Sequence, residues 1–179
     1  MTQIGIVYGQ ALYTLAAEEG LTDKIREELV LVGEAFANEP EYLRLLAAVN
    51  IPRQERCDLV DQVFRGKVHP YVLNFLKILT EKGYAKNYPA CVDAYTCQYN
   101  ADNDILPVKA ISAVALTSEQ ICRLEGKISS MTGKHARVEN RVDAQCLGGI
   151  ILDYDGTQVD GSVANRIDKV RNLLKNTVL

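Results

Sequence analysis

The 179-residue sequence predicts an α+β protein: an N-terminal six-helix bundle over residues 1–104, then a small β-α-β-β-β-α domain over 105–179. Three observations predict it. Up to residue 104, apolar positions recur at helical spacing and only Gly, Pro and Asn connections interrupt them. From Pro107 onward, β-branched runs and strict alternation replace that period. Residues 146–174 then read as strand, tight turn, strand, turn and capped helix. The length suits about one to two domains. Hydrophobic content of 47% and charged content of 24% are ordinary for a soluble globular protein with a packed core.

The first helix runs from Gln3 toward Gly20, which stops it by taking the left-handed conformation. Ile4, Tyr8, Ala11 and Leu15 share one face, and Val7, Leu12 and Ala16 widen it. Thr22 is placed to cap the second helix, where Ile25, Leu29, Val32 and Phe36 share a face. A short helix with Tyr42, Leu43 and Leu46 follows Pro40. Pro52 stands at the first turn of a fourth helix carrying Leu59, Val63 and Phe64. The fifth, Tyr71–Lys82, opens after Pro70 and closes at Gly83. The sixth opens at Pro89 and carries Val92, Tyr95 and Tyr99. The fifth helix has two apolar stripes, Val72/Phe75/Leu76/Leu79 and Tyr71/Ile78 with Asn74 between. Such a helix is either central in the bundle or one wall of a groove that accepts an amphipathic helix. Small Gly9 and Ala11 on the first helix would let a visiting backbone approach closely.

In the second domain, Val108–Leu116 reads as a strand. Thr117-Ser118-Glu119-Gln120 matches a capping box, and Ile121, Leu124, Ile128 and Met131 form the stripe of the helix it starts. From His135 to Val142, Ala136, Val138, Asn140 and Val142 face one way and the intervening residues the other. Gly148-Gly149 precedes the strand Ile150-Ile151-Leu152, and close packing explains the pair. Asp155-Gly156 makes a tight turn into Thr157-Gln158-Val159. Asp160-Gly161 turns the chain again, and Ser162 caps a last helix striped by Val163, Ile167, Val170 and Leu174.

Chemistry is absent from this pattern. His69 precedes a helix and His135 lies on the wet face of a strand, so both read as surface histidines. Gly126–Lys134 lacks phosphate-loop spacing, and Asp153-Tyr154-Asp155-Gly156 lacks the later ligands of a calcium loop. No catalytic residue, metal site or cofactor is expected. Five cysteines without a CxxC pair fit a reducing compartment. No apolar run reaches the ~20 residues of a membrane span, and no export or import leader is expected. Net charge is −3, too mild for a general nucleic-acid binder. Residues 1–104 hold 10 Lys+Arg against 15 Asp+Glu, and residues 105–179 hold 10 against 8.

Three segments carry a family resemblance. Tyr8-Gly9-Gln10-Ala11-Leu12-Tyr13-Thr14-Leu15-Ala16 resembles a Tyr-Ala-x-Ala-Leu-Phe-x-Leu-Ala helix, with Gly9 in place of an Ala. Asn74–Gly83 (NFLKILTEKG) resembles a fifth-helix pattern ending before Gly. The C-terminal GGIIL…DG…DGSV pattern is the most specific. In order and spacing they resemble the delta subunit family of rotary ATP synthases, which includes the mitochondrial oligomycin-sensitivity-conferring protein. Two departures stand out. Tyr154-Asp155-Gly156 occupies a turn where the family commonly has Gly-Asp, and Ala164-Asn165-Arg166 lacks a second Arg.

The resemblance implies a non-catalytic peripheral-stalk subunit, present once per complex, on the cytoplasmic side of a bacterial plasma membrane and not inserted in it. It implies that the helical domain binds the N-terminal helix of an alpha subunit in a groove between the first and fifth helices. Carried over residue by residue, Tyr8, Ala11, Leu15, Tyr71, Asn74 and Ile78 are the expected groove residues. The C-terminal domain is expected to meet the C-terminus of the b subunits. Gly148, Gly149, Gly156, Asp160, Gly161 and Ser162 are expected to act as structural turns and cap. The alternative is a two-domain adaptor in another cytoplasmic assembly, which co-purifying partners would distinguish.

Overall fold

The computed structural model describes residues 2–48, 51–143, 146 and 148–167. The fold is mixed α+β, with two compact units, Met1–Tyr99 and Asn100–Leu179. In the first unit lie α1 (Gln3–Glu18), α2 (Thr22–Asn38), α3 (Pro40–Leu46), α4 (Arg53–Phe64), α5 (Pro70–Glu81), a 3-10 turn (Ala85–Asn87) and most of α6 (Tyr88–Asp102), whose last turn passes the boundary. Gly20, Gly66 and Gly83 all have positive φ just past a helix end, where L side chains are disfavoured.

The helical core is built from Ala16, Ile25, Leu29, Val32, Leu46, Val60, Val72, Leu79 and Tyr95, each at most 1% exposed. Phe36 is the hub of an aromatic group. Its ring centroid lies 5.0 Å from that of Tyr88 and 6.0 Å from those of Tyr42 and Phe64. Buried tyrosines must place their hydroxyls. Tyr88 donates to the Leu29 carbonyl at 2.6 Å, Tyr95 to that of Thr22 at 2.9 Å, and Tyr42 to that of Leu59 at 3.1 Å. These bonds tie α6 to α2 and α3 to α4.

Several local expectations are corrected. Thr22 does not cap α2. The cap position is Leu21, without a side-chain bond, while the Thr22 carbonyl serves Tyr95. Pro52 is itself the cap residue of α4, with extended ψ, rather than part of its first turn. His69 is half-buried rather than a plain surface residue. It is the N-cap of α5, its Nδ1 accepts from the Tyr71 N–H, and its own N–H donates to Glu28. The 3-10 turn has no counterpart in the predicted elements, because its three residues are too few to set up a periodicity.

The second unit contains β1 (Ile105–Ser112), α7 (Ser118–Thr132), β2 (His135–Val142), β3 (Ile150–Tyr154) and β4 (Thr157–Asp160). The sheet order is β2-β1-β3-β4. β1 pairs parallel with β2, Ile105 opposite His135 through Ser112 opposite Val142, and antiparallel with β3 from Lys109 to Ser112. The predicted strand Val108–Leu116 is therefore displaced toward the N-terminus. Pairing sets its limits: Pro107 falls where only one side of β1 is paired, which a residue without an N–H tolerates. Past Ser112 the chain turns away. The Ser112 hydroxyl donates to the Val114 carbonyl at 2.7 Å, and the Leu116 N–H donates to Asn140 Oδ1 at 2.9 Å.

The core of this unit is Leu106, Val108, Ala110, Ile128 and Val138, with Leu116, Ile121, Leu124, Ala136, Ile150, Leu152 and Tyr154 packed around it. The capping box forms in full, Thr117 and Gln120 exchanging bonds. Two stripe residues do not join the core. Met131 is 74% exposed in the last turn of α7, and Val142 is 53% exposed at the end of β2. Each lies at or next to the end of its element.

Candidate functional site

α1 has two faces of different character. Gly5, Gly9, Leu12, Tyr13 and Ala16 are buried. Ile4 and Tyr8 are half-buried, and Val7, Ala11 and Leu15 are exposed. Val7 and Leu15 therefore stand outward, while Leu12 goes inward and Ile4 and Ile6 lie between. The inward face is small because α1 lies close against α6. A Cβ at Gly9 would sit 2.4 Å from the Cys91 carbonyl oxygen and 2.8 Å from Ala94 Cβ, and one at Gly5 would sit 2.7 Å from Ala90 Cβ. The expectation that Gly9 admits a visiting backbone is corrected. The backbone it admits is that of α6, and Gly9 and Ala11 lie on different faces of the helix.

α5 buries Val72, Phe75, Leu76, Leu79 and Thr80. Tyr71 is half-buried, and Asn74 and Ile78 are exposed, Ile78 at 44%. The three lie at i, i+3 and i+7, on one side of the helix. The surplus stripe is thus at least partly open to solvent, while Val72, Phe75, Leu76 and Leu79 are in the core. The α1 residue Tyr8 stacks edge-on against Tyr84, just past the end of α5, with centroids 6.1 Å apart. At the other end of α5, Tyr71 packs against the His69 ring at 4.9 Å. Tyr8, Ala11, Leu15, Tyr71, Asn74 and Ile78 are all uncharged. What they offer is apolar contact, hydroxyls and one amide, which suits the apolar face of a helix and no covalent chemistry.

Ile4, half-buried, and Val7, 58% exposed, adjoin the three α1 residues expected in the groove, Tyr8, Ala11 and Leu15. Their spacing to Tyr8 and Ala11 was legible. Their outward direction was not, since it depends on α6 occupying the glycine face.

The turn residues of the second unit form a compact joint. Asp155 and Gly156 both have positive φ, as a two-residue type I′ turn requires. Gly149 has φ of +85°, and a Cβ there would meet the Gly161 carbonyl oxygen at 2.5 Å. The Gly161 N–H donates to the Ile150 carbonyl and the Val163 N–H to the Gly148 carbonyl, both at 3.0 Å. Asp160 Oδ1 accepts from the Ser162 N–H at 2.8 Å, and the buried Ser162 Oγ accepts from the Asn165 N–H at 3.2 Å. Beyond this joint Val163 and Ile167 are 43% and 58% exposed. Val170 and Leu174 lie outside the described residues.

Among the described residues, no group of three or more His, Cys, Asp or Glu could hold a metal ion. No helix there is long and apolar enough to cross a membrane. Burial holds the thiol of Cys91 up at about 11 and the phenol of Tyr42 up at about 12. Cys91 belongs to the core, and Tyr42 is half-buried with its hydroxyl on the Leu59 carbonyl.

Residues 4–174 match the family described as ATP synthase delta (OSCP) subunit. The chain is 30% identical over 172 residues to the ATP synthase subunit delta of Clostridioides difficile, covering 96% of this chain and 95% of that one. It is 28% identical over 172 residues to the corresponding protein of Alkaliphilus oremlandii, covering 96% of both. Its fold is similar to a chain in the cryo-EM structure of the Toxoplasma gondii mitochondrial ATP synthase hexamer. There the TM-score is 0.74 and the identity 21%, over 97% of this chain and 98% of that one.

Proposed function

We infer the working parts of this chain from the premise that it belongs to the ATP synthase delta (OSCP) subunit family. It is a peripheral-stalk subunit of a rotary ATP synthase, structural rather than catalytic, and a peripheral component of a membrane complex. In our reading residues 1–104 form a six-helix bundle that receives the N-terminal helix of an alpha subunit. The helix lies between α1 and α5, against Tyr8, Ala11, Leu15, Tyr71, Asn74 and Ile78. Residues 105–179 meet the C-terminus of the b subunits, with Gly148, Gly149, Gly156, Asp160, Gly161 and Ser162 shaping the surface that presents Val163 and Ile167. One copy serves each complex, on the cytoplasmic side of the membrane.

The observation that carries this reading is the pair of outward apolar stripes on α1 and α5. A soluble monomer gains nothing from exposing them, whereas a partner helix would bury them. Rotor torque acts on the catalytic head, so the holding contact must dissociate slowly. A helix laid in a groove falls in the range of standard interfaces, ~1,200–2,000 Å². Two such contacts on one chain add effective concentration, up to the mM range, without either being exceptional alone.

The test is Ile78→Asp. A partner can cover only the exposed 44% of Ile78, worth about 1 kcal/mol, and a covered aspartate adds a desolvation cost, so the change weakens binding of a peptide carrying the N-terminal helix of the alpha subunit about tenfold or more. The chain still folds, with a modestly lower melting temperature, because Ile78 is 44% exposed and an aspartate in the last turn of α5 opposes the helix dipole. Unaltered affinity by calorimetry removes Ile78 from the interface.

A further inference from the structure

We propose that the cavity between the N-terminus of α4 and the end of α5 is an anion site that takes a phosphate group. The cavity has a volume of about 550 Å³, and Arg53, Arg56 and Lys82 stand in its wall with one carboxylate, Glu81. Three features point to an anion. First, α4 is 12 residues long and starts at Pro52 with no side-chain cap, so the N–H groups of its first turn are unclaimed by a cap. Helix N-termini of this kind attract phosphate through those donors and through the helix dipole.

Second, Arg56 is a buried cation in that wall, 6% exposed. Its Nη1 donates to the Leu46 carbonyl at 3.0 Å, which fixes the guanidinium against the end of α3. Its Nε is buried without an acceptor. Among the described residues no carboxylate lies within ion-pair distance of it; the pairs found are Arg44–Glu41, Lys77–Asp61 and Arg123–Glu119. A buried, unpaired charge is costly, and an anion in the adjoining cavity compensates it. Third, the wall is unbalanced, with three cations against one carboxylate. Arg presents a planar fork that matches phosphate oxygens, and Lys adds a point charge. Capping α3 requires only Nη1. It does not explain why Arg53 and Lys82 border the same space.

The phosphate could be free inorganic phosphate or the phosphate of a nucleotide, and calorimetry on the full chain separates them. Inorganic phosphate and ADP are titrated separately at low ionic strength. At least one gives saturable one-to-one binding that added sodium chloride weakens. Binding of both shows that the phosphate group suffices, and binding of ADP alone assigns a nucleotide. The double variant Arg53→Ala/Lys82→Ala, whose side chains border the cavity, lowers affinity about tenfold or more. Glu81→Gln raises affinity by removing the one like charge, a gain that a purely structural role does not produce. Arg56 itself is left intact, because its loss would also uncap α3. The proposal is overturned if neither ligand binds saturably, or if affinity is the same in the Arg53→Ala/Lys82→Ala variant.

Discussion

Gly9→Ala tests the packing that turns the apolar face of α1 outward. A methyl at this position would lie 2.4 Å from the Cys91 carbonyl oxygen, 2.8 Å from Ala94 Cβ and 3.1 Å from the Tyr95 nitrogen. Carbon atoms prefer a separation of about 3.5–4.0 Å, so α1 must shift away from α6 by roughly 1 Å. The nearest obstacle is backbone, which cannot swing aside as a flexible side chain could. Overpacking of this kind costs about 1–3 kcal/mol. The higher helix propensity of Ala offsets up to ~1 kcal/mol. The net expectation is a loss of about 1–2 kcal/mol. For a unit of this size that corresponds to a fall of about 4–15 °C in melting temperature. Thermal and urea unfolding followed by far-UV circular dichroism measure it. If Gly9→Ala melts at or above the parent temperature and binds the alpha-subunit peptide less well, Gly9 faces a partner and the α1–α6 contact is wrongly assigned.

Two other measurements address different parts of the molecule. Gly126 lies inside α7, and a Cβ there would meet no atom within 4 Å; Gly126→Ala therefore stabilises by up to ~1 kcal/mol, seen as a higher urea midpoint, and a lower midpoint would mean that the open space is wrongly assigned. The chain also loses stability in alkali. Burial raises Cys91 to about 11 and Tyr42 to about 12, and raises Tyr88 and Tyr95 as well, against ordinary values of 9.0 for the thiol and 10.0 for the phenols. Between those limits the unfolded chain binds fewer protons than the folded one, so stability is full below about pH 9 and falls as pH rises toward 12. Urea midpoints at about pH 8 and about pH 11 check this, and equal midpoints would refute it.

Much of the architecture was legible because local signals agreed with one another. Pro40, Pro70 and Pro89 stand in first helical turns, and Gly20, Gly83 and Gly133 follow helix ends. The box of Thr117 and Gln120 marks the start of α7. What failed was decided by tertiary partners. The limits of β1 follow from its register with β2 and β3, and periodicity within a single strand does not encode them. Thr22 has the chemistry of a cap, but its carbonyl is engaged by Tyr95, a residue 73 positions later. Arg56 reads in sequence as one charge on a polar helix, yet it is buried beside a cavity that only the folded chain encloses.

The candidate surface shows the same division between what periodicity carries and what it does not. Spacing groups Ile4, Tyr8, Ala11 and Leu15 on one face, but it cannot say whether that face meets the core. An ordinary amphipathic helix buries its large apolar residues and leaves small or polar ones outside. α1 largely reverses this: Gly5, Gly9 and Ala16 go inward, joined by Leu12 and Tyr13. The glycines let the α6 backbone come close, so the helix is held by proximity and shape more than by side-chain volume. Ile4, Val7, Tyr8 and Leu15 are then left over for contact with something else. α5 does the opposite inside, with Phe75 and two leucines buried, and leaves Asn74 and Ile78 exposed and Tyr71 half-buried on one side. A clamp benefits from this asymmetry. Apart from Tyr8, which packs on Tyr84, the anchoring of α1 leaves free the side chains that a partner would need, so Ala11 and Leu15 can be fitted to a partner helix without loosening the fold.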